Sequence, residues 1–184
     1  MKLKILAGLA LAAAIATPAL AGLAVGNKAP DFTLPGYQAG KPLTFHLAEA
    51  LKKGPVVLYF FPAAHTSGCN VEAHLFAEAA DDFKAQGATL IGVTAGKLKE
   101  LQEFSNETQY CSGKFPVAAD TDAAVSKQYT KTTAIPLFGT ISDRTSFVIA
   151  PGGQVIFTYS AGDPSQHAAL TLDAVKKWRA AHPK

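Results

Sequence analysis

Cys69 and Cys111 are the only two cysteines in this 184-residue chain, and the first stands where a thiol could do chemistry. It closes the pattern Pro62-x-x-x-Thr66-x-x-Cys69, directly after the apolar run Val56-Val57-Leu58-Tyr59-Phe60-Phe61. A continuous β-prone run of this kind reads as a strand buried on both faces. A helix should follow, with Thr66 or Ser67 as its cap. Cys69 would then lie in the first helical turn, where unpaired backbone N–H groups and the helix dipole favour a thiolate over a thiol. A cysteine so placed is poised as a nucleophile. The position suits a small buried apolar residue or one half of a structural disulfide about equally well.

The elements that must hold this residue follow from periodicity. Val71, Leu75, Ala79 and Phe83 recur at helical spacing, and Gly87 supplies the stop. Residues 89–95 read as the next buried strand, 97–108 as a helix, 115–120 as a short strand and 122–130 as another short helix. Two β-prone stretches, "RTSFVIA" and "QVIFTYSA", flank Pro151-Gly152-Gly153 and form a hairpin with a strong turn signal. Asp163, with Pro164 at the first helical position, should open a last helix ending near Ala181. Strand and helix alternate before a closing hairpin and helix. The expected architecture is therefore an α/β three-layer sandwich with a mixed central sheet and helices on both faces.

Composition narrows the function classes. "MKLKILAGLALAAAIATPALA" combines Lys2 and Lys4, an apolar core and the small-residue pattern Ala19-Leu20-Ala21, the layout of a cleavable secretory signal. Residues 1–21 are therefore expected to be removed, leaving one domain over 22–184 in a periplasmic or secreted setting. The apolar core is too short for a spanning helix of about 20 residues. Without Lys2 and Lys4, the 17 basic residues fall to 15 against 14 acidic ones. That balance argues against nucleic acid or an anionic membrane as the main partner. His65 and Cys69 could share a metal if Cys111 approached. Pairs such as C-x-x-C or H-x-x-x-H are absent, so no metal is expected and His65 reads as an exposed loop residue.

Pro62, Thr66 and Cys69 in this context resemble the active-site motif of the peroxiredoxins, thiol peroxidases of the thioredoxin-like superfamily. The similarity continues in order along the chain: "APDFTLPG" looks like that family's N-terminal β-hairpin, "DFKAQGATLIGVTA" like its helix-to-strand passage, "FPVAADTD" like its F-P-x-x-x-D stretch, and "DRTSFVIAPGGQV" like its late hairpin. The resemblance implies a thioredoxin-like fold and a peroxidatic Cys69. Pro62 would shield the thiolate from water, while Thr66 and the helix-start amides would hold the peroxide. Arg144, at the position matching the catalytic arginine, would supply a fixed cation beside the sulfur. The other arginine, Arg179, lies in a basic terminal helix and is expected to be solvated. Glu72 matches a glutamate common in the Q-type, or bacterioferritin-comigratory, branch; a helix-face charge near the dipole accounts for it equally well.

In the Q-type branch a resolving cysteine often follows five positions after the peroxidatic one, but here that position is His74. A short-loop disulfide is thereby excluded. Cys111, just after the helix expected over 97–108, matches the place where some related peroxiredoxins keep an intramolecular resolving cysteine. The resemblance thus implies a peroxidase that needs no cofactor and is recycled by a thioredoxin-like or glutaredoxin-like donor, as a monomer or weak homodimer. The competing class is a secreted thioredoxin-fold binding or scaffold protein with a static Cys69 to Cys111 bridge, which would need none of Pro62, Thr66 and Arg144. A disulfide oxidoreductase with its own C-x-x-C pair is excluded, because Asn70-Val71-Glu72 leads to no second cysteine.

Overall fold

The computed structural model describes residues 22–137 and 139–183; the leader expected over residues 1–21 lies outside them. In chain order the elements are β1 (Thr33–Gln38), β2 (Lys41–His46), α1 (Leu47–Leu51), β3 (Val56–Phe60), α2 (Ser67–Ala85), β4 (Thr89–Thr94) and α3 (Glu100–Asn106). After them come β5 (Val117–Ala119), α4 (Ser126–Tyr129), β6 (Thr132–Ile135), β7 (Gly139–Ser142), β8 (Thr145–Ile149), β9 (Val155–Ser160) and α5 (His167–Ala181). Seven strands form one sheet in the order β2-β1-β5-β4-β3-β8-β9, and β6 and β7 pair separately. β3, β4 and β5 run parallel, while β8, β9 and the β1–β2 hairpin are antiparallel to their neighbours. The mixed sheet and the N-terminal hairpin are those expected of the thioredoxin-like sandwich.

The period of β3 explains the layers. Val57, Tyr59 and Phe61 point into a cluster with Phe76 and Phe83 of α2. Val56, Leu58 and Phe60 point to the opposite cluster with Leu47, Leu51 and Tyr129. Alternation of side chains along a strand, with apolar residues on both faces, demands cover on both sides. Helices α2, α3 and α5 cover one face, and α1 and α4 the other. Gly92 of β4 belongs to this packing, because a Cβ there would stand 2.6 Å from the Tyr59 ring.

Helix α2 ends as its sequence suggests. Gly87 takes φ +71, its N–H donates to Lys84 O at 2.9 Å, and the Ala88 N–H donates to Phe83 O at 2.9 Å, the two bonds of a Schellman cap.

Several expectations need correction. The buried stripe of α2 is Cys69, Glu72, Ala73, Phe76, Ala77, Ala80 and Phe83. Val71 is exposed, so the stripe expected from Val71 is displaced by one to two residues around the helix. Helix α5 starts at His167 rather than Pro164, because Asp163 Oδ1 accepts the Ser165 N–H at 2.9 Å and folds residues 163–166 into a turn. Helix α3 is shorter than 97–108, since its approach is a tight turn in which the Leu101 N–H donates to Leu98 O. Arg179 is half-buried rather than free in solvent: its Nε donates to Gln86 O at 2.9 Å and its guanidinium lies 5.0 Å from the Trp178 ring centroid, tying α5 to the end of α2.

Candidate active site

Thr66 occupies the N-cap of α2 with extended backbone, and its carbonyl accepts the Asn70 N–H at 2.8 Å. The N–H groups of the following turn have no partner within the helix. Cys69 sits in that turn and is 1% exposed. The cap differs from expectation in one respect: the Thr66 hydroxyl donates to Ala63 O at 2.9 Å and its oxygen accepts no N–H of the helix. It thereby bridges the loop that leads in from Pro62 and keeps its lone pairs free to accept.

Arg144 reaches Cys69 from the strand side. It immediately precedes β8, and with Ser146 and Val148 it faces α2 and α5, whereas Phe147 and Ile149 face the other layer. Its Nη2 donates to Cys69 Sγ at 3.6 Å, its Nε donates to Gly162 O at 3.1 Å, and its Nη1 pairs with Glu72. Three anchors hold the fork in one orientation. Arg144 and Pro62 also line an open cleft of about 440 Å³ with Ile141, Ser142 and Gly162. Arg144 therefore connects solvent space to the sulfur.

Glu72 is fully buried. Burial pushes its carboxyl up to about 8, opposed by Arg144. Burial works against the Arg144 cation, but Glu72 and Cys69 outweigh it and the guanidinium moves up. The Cys111 thiol is pushed up by burial. Cys69 and Cys111 belong to the same apolar cluster around Tyr59, and both are free thiols. A static bridge between them finds no support.

The structure brings Pro62, Thr66, Cys69, Glu72 and Arg144 together. Cys111 lies beyond α3, next to Tyr110, which belongs to a clasp that the sequence does not announce. His65 is exposed, as expected, but adopts left-handed backbone with φ +61. Its Nε2 donates to Glu100 O at 3.2 Å, and its ring meets Phe104 and Tyr110 edge-on, each at 5.5 Å. His167 and Ser146, also unannounced, pack behind Glu72. The spacing of Arg144 and Ser146 on one strand face was the available signal for Ser146. Nothing local pointed to His167.

The AhpC/TSA family model matches residues 25–158. The chain is 31% identical over 150 residues to the chloroplastic peroxiredoxin Q of Oryza sativa subsp. japonica, covering 80% of this chain and 64% of the rice protein. A Mycobacterium tuberculosis relative carrying the peroxiredoxin name is 30% identical over 157 residues, covering 82% of this chain and 97% of that protein. Among solved structures, the peroxidoxin BcpB of Mycobacterium tuberculosis superposes with a TM-score of 0.74 at 27% identity, over 83% of this chain and 96% of that one. The Xanthomonas campestris bacterioferritin comigratory protein superposes at 0.65 with 26% identity, over 79% and 91%. The chain belongs to the AhpC/TSA family, that of the peroxiredoxins.

Proposed function

We propose that this chain is a thiol-dependent peroxidase in which Cys69 is the nucleophile. The observation that carries the reading is Arg144 Nη2 lying 3.6 Å from Cys69 Sγ in the first turn of α2. The Cys69 thiolate attacks one oxygen of a hydroperoxide: the S–O bond forms as the O–O bond breaks, and the sulfur loses two electrons to become sulfenic acid. The departing alkoxide or hydroxide takes a proton from solvent and leaves as alcohol or water. Fixed donors, Arg144 and the helix-start amides, stabilise the charge arriving on that oxygen. The Thr66 hydroxyl, already donating to Ala63 O, can accept the O–H of the peroxide. Pro62 keeps water from the sulfur.

Cys111 is proposed as the resolving thiol. Its sulfur attacks the sulfenic acid, water leaves, and a Cys69–Cys111 disulfide remains. Both thiols are buried, so the first turn of α2 and the segment around Cys111 must open before the sulfurs can meet. Releasing the His65 ring from Phe104 and Tyr110 is part of that opening. A thioredoxin-like or glutaredoxin-like dithiol then returns two electrons and two protons. A periplasmic or secreted setting rests on the layout of residues 1–21, and a monomer or weak homodimer is expected.

Mass spectrometry after one equivalent of peroxide, with turnover measured alongside, tests the reading. Cys69→Ser should consume no peroxide while keeping its fold. Cys111→Ser should consume one equivalent, stall as sulfenic acid and over-oxidise with excess. Full turnover in Cys69→Ser would end the enzyme reading; full turnover in Cys111→Ser with a thioredoxin-type donor would make Cys111 a bystander.

A further inference from the structure

Behind the Arg144–Glu72 pair stands a third buried ionisable group. His167, the first residue of α5, is fully buried with its ring edge-on to Tyr159 at 4.7 Å. Its Nε2 lies 3.1 Å from Ala161 O. A carbonyl only accepts, so Nε2 carries the proton and Nδ1 is the acceptor. Ser146 Oγ lies 2.8 Å from that Nδ1, so its hydroxyl and Glu72 compete for a single lone pair. Glu72 offers one oxygen to Arg144, while its other, Oε1, has no hydrogen-bond partner and lies 3.5 Å from the same Nδ1. A bare carboxylate oxygen facing a nitrogen lone pair in a dry core is unfavourable on both sides. A proton on the carboxyl removes the conflict, because Oε1 then turns an O–H toward Nδ1 in place of a lone pair.

That proton matters for Cys69. The titratable groups facing the cluster are Glu72 and Cys69 from α2, Arg144 from the approach to β8, Asp163 from the loop before α5, Tyr159 from β9 and Tyr59 from β3. When the Glu72–His167 pair holds its proton, the pair is neutral overall and Arg144 answers to Cys69 alone. When the proton is lost, Glu72 neutralises Arg144 and the sulfur faces a weaker field.

We propose that His167 is a positioning residue for the Cys69–Arg144 couple, acting through the unpartnered oxygen of Glu72, with which it holds one proton. The proposal rests on Cys69 being the reactive thiol. Burial pushes the Glu72 carboxyl up to about 8 and the imidazole down to about 4, which agrees with a proton kept on the carboxyl near neutrality. Ser146 holds the ring in place for this role.

The test uses the reduced full chain without peroxide, reading the rate of Cys69 alkylation against pH by mass spectrometry, so it fails or succeeds independently of peroxidase turnover. In His167→Phe, Glu72 loses the acceptor that favours its protonated form, so the carboxyl ionises more readily. The alkylation midpoint should rise by about one pH unit, a size typical of gaining one nearby opposing charge. In Glu72→Gln, a neutral isostere, the added His167→Phe change should move it by less than half as much. Nitrogen NMR of wild-type His167 should show a neutral ring with its proton on Nε2 at pH 7, and a shift on the alkaline side as the shared proton leaves. An unmoved midpoint in His167→Phe, an equal shift in the Glu72→Gln background, or an Nδ1-protonated ring overturns the proposal. The NMR result decides the matter even if a variant fails to fold.

Discussion

Replacing Arg144 with alanine is the most informative perturbation of this site. Its Nη2 lies 3.6 Å from Cys69 Sγ. Two unit charges about 4 Å apart are worth ~4 kcal/mol at the effective dielectric of ~20 found near protein surfaces. Two features reduce that figure: the guanidinium charge is spread over three nitrogens, and Nη1 is already paired with Glu72. A cation in contact with an acidic group commonly shifts its titration by roughly 1–3 units. The midpoint of Cys69 alkylation should therefore rise by about 1–3 pH units in Arg144→Ala, with the peroxide reaction at neutral pH slowed by at least as large a factor. Alanine also leaves Glu72, which is fully buried and already kept protonated by that burial, without its partner, and breaking a buried pair from one side costs about 3–5 kcal/mol unless the remaining group stays neutral. Comparing Arg144→Ala with Arg144→Ala/Glu72→Gln separates loss of the cation from a stability defect. Arg144→Lys should recover only part of the effect, because an ammonium cannot serve Gly162 O, Glu72 and the sulfur at once. An unchanged alkylation midpoint in both the single and the double variant would refute the reasoning.

Three further outcomes follow from the same geometry. At Gly68 a Cβ would stand 3.0 Å from Arg144 Nη2. Gly68→Ala should therefore push the pinned guanidinium aside and slow peroxide reduction by about tenfold to a hundredfold, as small misplacements do, with little change in the urea midpoint. Arg179→Ala removes the bond to Gln86 O and the stacking on Trp178. It should lower stability by about 1–2 kcal/mol in urea titration while leaving the rate with peroxide unchanged. Stability should also depend on pH through the buried acid and imidazole. Glu72, raised to about 8, keeps a proton in the folded state that the unfolded chain has already released, so its contribution is complete below about pH 4.5 and is lost as pH rises to 8. His167, lowered to about 4, acts oppositely: its contribution is complete above about pH 6.5 and is lost as pH falls to 4. The two slopes cancel between about 4.5 and 6.5, leaving a fall of roughly 2 kcal/mol from pH 6.5 to 8; urea titrations across this range should show it in the wild type and not in Glu72→Gln.

The parts of the fold that were legible in the sequence are those where one local pattern decides the outcome. Six consecutive apolar residues from Val56, rich in β-branched and aromatic side chains and too short a run for a core helix, fit a strand between two layers, and Gly87 can end α2 because its left-handed φ costs nothing there. The β6–β7 pair was not legible. Its strands are half-exposed and carry no strong alternation. Asp163 and Pro164 misled for a related reason: an aspartate that caps a helix also closes a turn on its own, and only the packing of His167 against β8 and β9 decides where α5 begins.

The site divides in the same way. Cys69, Thr66 and Pro62 lie within one strand-to-helix passage, so their spacing along the chain is also their spacing in space. Arg144 is remote in sequence and was found through likeness to a family, since no local rule brings a residue before β8 to the start of α2. Glu72 could be read as a surface charge because helical periodicity tells which residues share a face but not how that face is turned. Once the stripe of α2 is rotated from Val71 to Cys69 and Glu72, a carboxyl enters the core and must find partners. Arg144 satisfies one of its oxygens, and the other is left facing His167. A residue drawn in by that second oxygen has no motif of its own, because what recruits it is an unmet bond in three dimensions. His167 is such a residue, so replacing it should move the Cys69 midpoint while Glu72 is present and far less once Glu72 is glutamine.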